Sequence, residues 1–305
     1  MNFGLQGLVA APFTPMLADG IVNLDLIALQ ARALANAGVT GAFICGTTGE
    51  GASLTTGERK QIAERWLKSA PNTLRVIVHV GHNSLAESRS LAAHTEEISA
   101  PAIATIAPNF FRPGDVEQLV SYCAQVAAAA PALPFYFYHM PGMSGVNFPM
   151  IDFLKSAADR IPNLAGIKFT HENLMDYAQC LRFERGRFNI LFGRDEILLA
   201  ALALGATGAV GSTYNYLAPV YLKLLAAFKQ ADLEAARQHQ MTAIEIIAIM
   251  SRYGGLPAGK AMMKLIGLDC GPVRSPLRNL SAEETKNLYR DLAAAGFPFQ
   301  TSGAI

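Results

Sequence analysis

Eight short apolar runs recur along the chain, each followed by a longer stretch with apolar residues at helical spacing. No other feature constrains the fold as strongly. The runs cover residues 7–11, 41–45, 75–80, 102–107, 135–138, 165–169, 189–192 and 207–211. They stand roughly thirty residues apart, the length of one βα unit. Within 58–68, Ile62, Ala63, Trp66 and Leu67 share a helical face, and Thr55 with Glu58 has the form of a capping box that starts that helix. Eight unbroken units predict an α/β fold of the (β/α)8 TIM-barrel type. A doubly wound open sheet would need a GxGxxG fingerprint after its first strand, and residues 10–16 offer none. With 305 residues, 51% of them hydrophobic, the chain can fill such a core.

After residue 215 the strand signal stops. Residues 217–229, 233–252, 259–266 and 282–295 read as helices. The expected division is a catalytic barrel over 1–229 and a helical C-terminal extension over 230–305. No linker rich in Ser or Pro separates them, so the extension should pack on the barrel.

The charge balance, 25 basic against 24 acidic residues, leaves no footprint for nucleic acid or an acidic membrane surface. Small molecules and copies of the chain itself are the expected partners. Cys45, Cys123, Cys180 and Cys270 lie far apart without CxxC spacing, as reduced, buried thiols of a cytosolic protein would. The apolar start lacks a basic n-region and meets Pro12 and Pro15 at once, so it reads as a first strand and not a signal peptide. The longest apolar stretches are broken by Pro131 and Pro134 or by Gly205 and Gly208, which disfavours a membrane span. The sum is a soluble, cytoplasmic enzyme or binding protein.

Barrel enzymes place their chemistry at the C-terminal ends of the strands. Strand six reads Leu164-Ala-Gly-Ile-Lys-Phe-Thr170. By the twofold alternation of a strand, Ala165, Ile167 and Phe169 should face the helices, leaving Gly166, Lys168 and Thr170 inside. Most lysines are solvated. One inside a barrel loses hydration, its pKa falls, and the neutral amine becomes a nucleophile suited to imine formation. A buried Lys–carboxylate pair is the structural alternative. Tyr136 and Tyr138 share a face of strand five, with Tyr138 at the rim before Pro141-Gly142. There it either relays a proton or fills the core.

Strand two runs into Gly46-Thr-Thr-Gly-Glu-Gly51, an anion pocket built from amides and the hydroxyls of Thr47 and Thr48, or else a plain tight turn. Without a following GK[ST] it is no Walker loop, and a 2-oxo acid carboxylate suits it better than a triphosphate. Strand seven ends Gly193-Arg-Asp-Glu196 and strand eight Gly211-Ser-Thr213. Adjacent acids at a rim could ligate metal, act as acid and base, or accept hydrogen bonds from a polyol. His79 and His82 raise the metal question too, but their spacing puts them on opposite faces of a continuing strand, a poor pair of ligands.

GTTGEG at 46–51, Tyr-x-x-Pro at 138–141 and Gly-Ile-Lys at 166–168 occur in order at successive strand ends. In these motifs, over essentially its whole length, the chain resembles the dihydrodipicolinate synthase/N-acetylneuraminate lyase superfamily. Residues 5–10, 127–141, 191–196 and 205–216 are most similar to its animal-type lyase branch. The resemblance implies a Schiff-base (class I) aldolase that cleaves N-acetylneuraminate reversibly to N-acetylmannosamine and pyruvate. It implies that Lys168 forms the imine, that Tyr138 donates and accepts the proton, and that Thr47 and Thr48 hold the pyruvyl carboxylate. Thr170, Gly193, Asp195, Glu196 and Ser212 would line the sugar pocket. It also implies a homotetramer and no metal or organic cofactor, since the protonated imine is the electron sink. Synthase members carry an Arg two residues after the Tyr-x-x-Pro proline, where this chain has Met143, and an interface Tyr after strand four, where it has Phe110-Phe111-Arg-Pro113. Both departures favour the lyase over the synthase, while another pyruvate-dependent aldolase stays the alternative among enzymes. A non-catalytic sensor of sialic or keto acids, an alternative of a different class, would need neither Lys168 nor Tyr138.

Overall fold

The apolar runs become strands because both faces of each find apolar company. The computed structural model describes residues 4–297. In it, β1 (Gly7–Ala10), β2 (Gly41–Ile44), β3 (Arg75–His79), β4 (Ala102–Ile106), β5 (Phe135–His139), β6 (Leu164–Phe169), β7 (Asn189–Phe192) and β8 (Gly208–Gly211) form a closed barrel in sequence order. All neighbours are parallel, and β8 closes on β1 from Gly7↔Gly208 to Ala10↔Gly211. This is the (β/α)8 barrel that the eightfold rhythm predicts.

Alternation along the strands divides the apolar residues into two layers. Val9, Phe43, Ile77, Ala104, Tyr136, Tyr138, Leu191 and Val210 fill the barrel interior. Leu8, Ile44, Val78, Ile103, Phe137, Ile167 and Phe192 face outward into the larger core beneath the helices. In the helix Thr56–Ser69 the capping box is formed: the Glu58 amide donates to Thr55 Oγ1 at 3.2 Å, and the Thr55 amide to Glu58 Oε2 at 2.8 Å. Ile62, Ala63 and Trp66 are its buried face, with Leu67 half-buried beside them.

One inward–outward assignment needs correction. Ala165, expected to face the helices with Ile167 and Phe169, packs against the interior cluster. The cause is a bulge, because β5 and β6 pair Phe135↔Leu164 and then Tyr136↔Gly166. The extra residue shifts the phase by one. Gly166 sits at the shift, where a Cβ would lie 1.8 Å from the carbonyl oxygen of Asn189 on β7. Beyond it the alternation resumes, so Ile167 and Phe169 face outward and Lys168 inward.

The eighth barrel helix, Tyr214–Lys229, is followed by Leu233–Arg252, Leu256–Leu265 and Ala282–Ala294. Two of these begin three residues earlier than periodicity indicates. Tyr214, Asn215 and Tyr216 form a buried first turn. Pro257 opens the other helix, at a position where its missing N–H has no intrahelical acceptor to lose. Gly254 and Gly255, at φ 81° and 64°, reverse the chain just before it. That turn brings the extension over the C-terminal mouth of the barrel. All four cysteines are buried and free, and no helix among the described residues is long and apolar enough to cross a membrane.

Candidate active site

Lys168 is the penultimate residue of β6, directly across from Tyr138 on β5 and Leu191 on β7. Its Nζ lies 4.0 Å from the ring centroids of both Phe43 and Tyr138, and the residue is 4% exposed. Two effects compete for its proton. Ring faces attract an ammonium by up to about 2 kcal/mol. Withdrawing the same charge from water costs several kcal/mol. Burial wins and lowers the pKa to about 7, against a partial upward pull from Asp195. Near neutral pH much of this amine is therefore unprotonated and nucleophilic.

The Tyr138 hydroxyl lies 3.3 Å from Thr47 Oγ1 and donates to Met140 Sδ at 2.8 Å. Burial pushes its pKa up to about 12, opposed by the hydroxyls of Thr47 and Thr170. The phenol is protonated at rest. Thr47 and Thr48 sit on the loop after β2, whose hydrogen bonds from the amide of Glu50 to Thr47 O and of Gly51 to Gly46 O curl it tightly. Among the described residues neither the Thr47 nor the Thr48 amide donates to another backbone carbonyl, so both have capacity for an anion.

Asp195 and Glu196, adjacent in sequence, occupy different surroundings. The buried Asp195 accepts from the Thr213 amide at 3.0 Å and from its hydroxyl at 2.6 Å, both on Oδ2. Oδ1 is buried without a hydrogen-bond partner. Burial raises the carboxyl pKa to about 6, while the Thr213 bonds and, more weakly, Lys168 hold it down. Gly211 permits this arrangement, since a Cβ there would lie 1.9 Å from Asp195 Oδ1. Glu196 is 31% exposed and ion-paired at 2.8 Å with Arg194, which also pairs with Glu172.

All nine residues singled out from the sequence line one cleft of about 300 Å³: Thr47, Thr48, Tyr138, Lys168, Thr170, Gly193, Asp195, Glu196 and Ser212. That size is within the usual range for small-molecule sites. Other walls carried no signal in the sequence. Phe13 comes from the segment after β1, and Ile247, Met250, Ser251, Gly255 and Leu256 come from the extension. Gln240 supports the site from behind, donating to Asp195 O at 3.1 Å and accepting from the Leu199 amide at 2.9 Å. Only a buried glutamine in a helix otherwise periodic for apolar residues could have hinted at it.

His79 is buried behind this wall, its ring 5.9 Å from that of Tyr138. His82 lies beyond the strand and accepts from the Ser84 amide. No three His, Cys, Asp or Glu side chains among the described residues cluster as metal ligands would.

Residues 4–295 match the Dihydrodipicolinate synthetase family. A curated N-acetylneuraminate lyase of Rattus norvegicus is 45% identical over 298 residues, 96% of this chain and 93% of that protein. Among solved structures, an N-acetylneuraminate lyase of Proteus mirabilis superposes with a TM-score of 0.95 at 44% identity, covering 97% of this chain and all of that one. A sialic acid aldolase of Ruminococcus gnavus, solved as a catalytic lysine mutant, gives 0.89 at 27% identity over 97% and 98% of the two chains.

Proposed function

The chain belongs to the dihydrodipicolinate synthetase family, and from that premise we propose that it is a sialic acid aldolase, cleaving N-acetylneuraminate reversibly to N-acetylmannosamine and pyruvate through an imine on Lys168. The observation that carries this reading is the environment of Lys168, a buried amine between two rings with its pKa brought to about 7. The similarity to lyases of rat and Proteus mirabilis over almost the entire chain supports the substrate.

In this mechanism the neutral Lys168 amine attacks the C2 ketone of the open-chain sugar acid, and loss of water with uptake of one proton from solvent gives a protonated imine. Thr47 and Thr48 hold the adjoining carboxylate. The C4 hydroxyl proton passes toward Tyr138 as the C3–C4 bond breaks, and the bond's electrons flow into the iminium to leave an enamine. Tyr138, a phenol protonated at rest, takes up the C4 proton as it passes its own to C3, and so ends as it began. Hydrolysis of the imine releases pyruvate. Asp195, Glu196, Thr170, Gly193 and Ser212 face the polyol. The iminium is the electron sink, so the cleavage step calls on no metal.

Pyruvate with borohydride is expected to leave one reduced three-carbon adduct per chain, on Lys168. Intact mass and peptide mapping check it, and an adduct on another lysine, or none, would sink the mechanism. Assembly as a homotetramer belongs to the same reading. It is supported by Phe110 and Phe111, exposed on the loop after β4 with rings 5.0 Å apart, and sedimentation velocity giving a monomer would remove it.

A further inference from the structure

The loop that carries Thr47 and Thr48 is bolted to the C-terminal extension by a buried ion pair. Lys260 Nζ lies 2.7 Å from Glu50 Oε1, with side chains 3% and 0% exposed. Each partner also grips the segment that follows the helix Leu256–Leu265. Lys260 donates to Pro272 O at 2.6 Å, and Glu50 Oε2 accepts from the Arg274 amide at 2.8 Å. The Arg274 guanidinium then reaches Ser53 O at 3.0 Å and ion-pairs with Glu58. Glu50 holds a left-handed backbone, φ 53°, without being a glycine, a conformation that surrounding contacts must enforce.

Both ends of this pair belong to walls of the same cleft. Glu50 donates its amide to Thr47 O at 3.0 Å, and Thr47 Oγ1 is 3.3 Å from the Tyr138 hydroxyl. Lys260 lies on the helix whose first residue, Leu256, lines the cleft. The neighbouring Gly259 backs onto Phe13, another lining residue, so closely that a Cβ would lie 2.4 Å from the ring. Burying two charges is a poor way to gain stability, because a well-packed apolar pair of the same volume holds a fold as well or better. What the pair adds is a fixed distance and direction between loop and helix.

We infer that Glu50 and Lys260 are positioning residues for the pyruvyl end of the site, their ion pair holding Thr47 and Thr48 where the substrate carboxylate binds. This rests on the reading of Lys168 as the imine-forming residue. Neither side chain touches substrate. Their effect reaches it through the loop backbone.

The test measures the pyruvate concentration that half-saturates borohydride reduction onto Lys168, well below the melting temperature of each protein. For Glu50→Gln it should rise about tenfold, the scale of a slightly misplaced binding group, while saturating pyruvate still labels Lys168 fully. Glu50→Gln leaves Lys260 as an unpaired buried cation and risks unfolding. The double variant Glu50→Gln/Lys260→Met removes both charges while keeping similar bulk. It should melt near the wild type yet still need at least about threefold more pyruvate. A purely structural pair would change melting and leave half-saturation alone. Half-saturation within twofold of wild type in the double variant, or a double variant that does not fold, overturns the assignment. If wild-type protein itself gains no adduct on Lys168, the aldolase reading fails first and takes this inference with it.

Discussion

The two ends of the cleft are built on different principles. At the end where we place the pyruvyl group, Lys168 and Tyr138 are buried cross-strand neighbours inside the barrel, beside Phe43. At the end where we place the polyol, Asp195 and Glu196 stand on a loop after β7, Ser212 follows β8, and residues of the extension complete the wall. Burial shifts ionisation at both, bringing the amine near 7 and the phenol near 12 at the first and raising the Asp195 carboxyl to about 6 at the second. The second end already satisfies part of its charge, through Thr213 at Asp195 and Arg194 at Glu196. The first end is thus built from neighbouring strands of one barrel, and the second where separate segments meet.

The sharpest break between the two ends should come from Tyr138→Phe. It is expected to keep pyruvate trapping on Lys168 while slowing turnover by roughly 10²–10⁴-fold, the range for a lost proton-transfer group. Single-turnover assays beside borohydride trapping separate the two steps. A variant turning over near the wild-type rate would make Tyr138 a core aromatic only.

At the other end, Asp195→Ala should lower kcat/KM for N-acetylneuraminate about ten- to hundredfold, from hydrogen bonds to a charged group of roughly 1.5–3 kcal/mol. Pyruvate trapping above pH 7, where Lys168 is already largely neutral, should be nearly untouched. Glu196→Ala should cost only a few-fold, because its carboxylate is partly exposed and already shared with Arg194. Equal losses from the two would show that the pairing with Arg194 is broken when substrate binds. Faster condensation of pyruvate with aspartate semialdehyde than cleavage of N-acetylneuraminate would move the chain to the synthase branch even with Lys168 correctly placed.

The pH dependence of imine formation tests Lys168 and its coupling to Asp195. Lys168 reacts only as the free amine, and its pKa is brought down to about 7. The rate at limiting pyruvate should therefore level off above pH 7 and fall about tenfold per unit below it, as the neutral fraction does. Asp195 holds that value up, so Asp195→Asn should move the falling limb to lower pH. A limb near the ordinary lysine value, 10.5, would mean that Lys168 is solvated in solution.

The eight strands, the capping box at Thr55 and Glu58, and the inward side chain of Lys168 all follow from periodicities of two and 3.6 residues, which sequence carries openly. Ala165 shows where that legibility ends. Its inward turn depends on a register shift between β5 and β6, at a glycine whose missing Cβ leaves room for the backbone of Asn189 some twenty residues away, and no local pattern records either pairing. The same holds for the site. Nine residues at strand ends were legible because a closed barrel brings all its strand ends to one rim. Gln240 behind Asp195, Phe13, the extension wall from Ile247 to Leu256, and the Glu50–Lys260 pair were not. Each depends on how a helix more than two hundred residues along the chain docks over the mouth formed by the first strands. Docking of that kind is decided by the packing of surfaces that exist only after the barrel has closed.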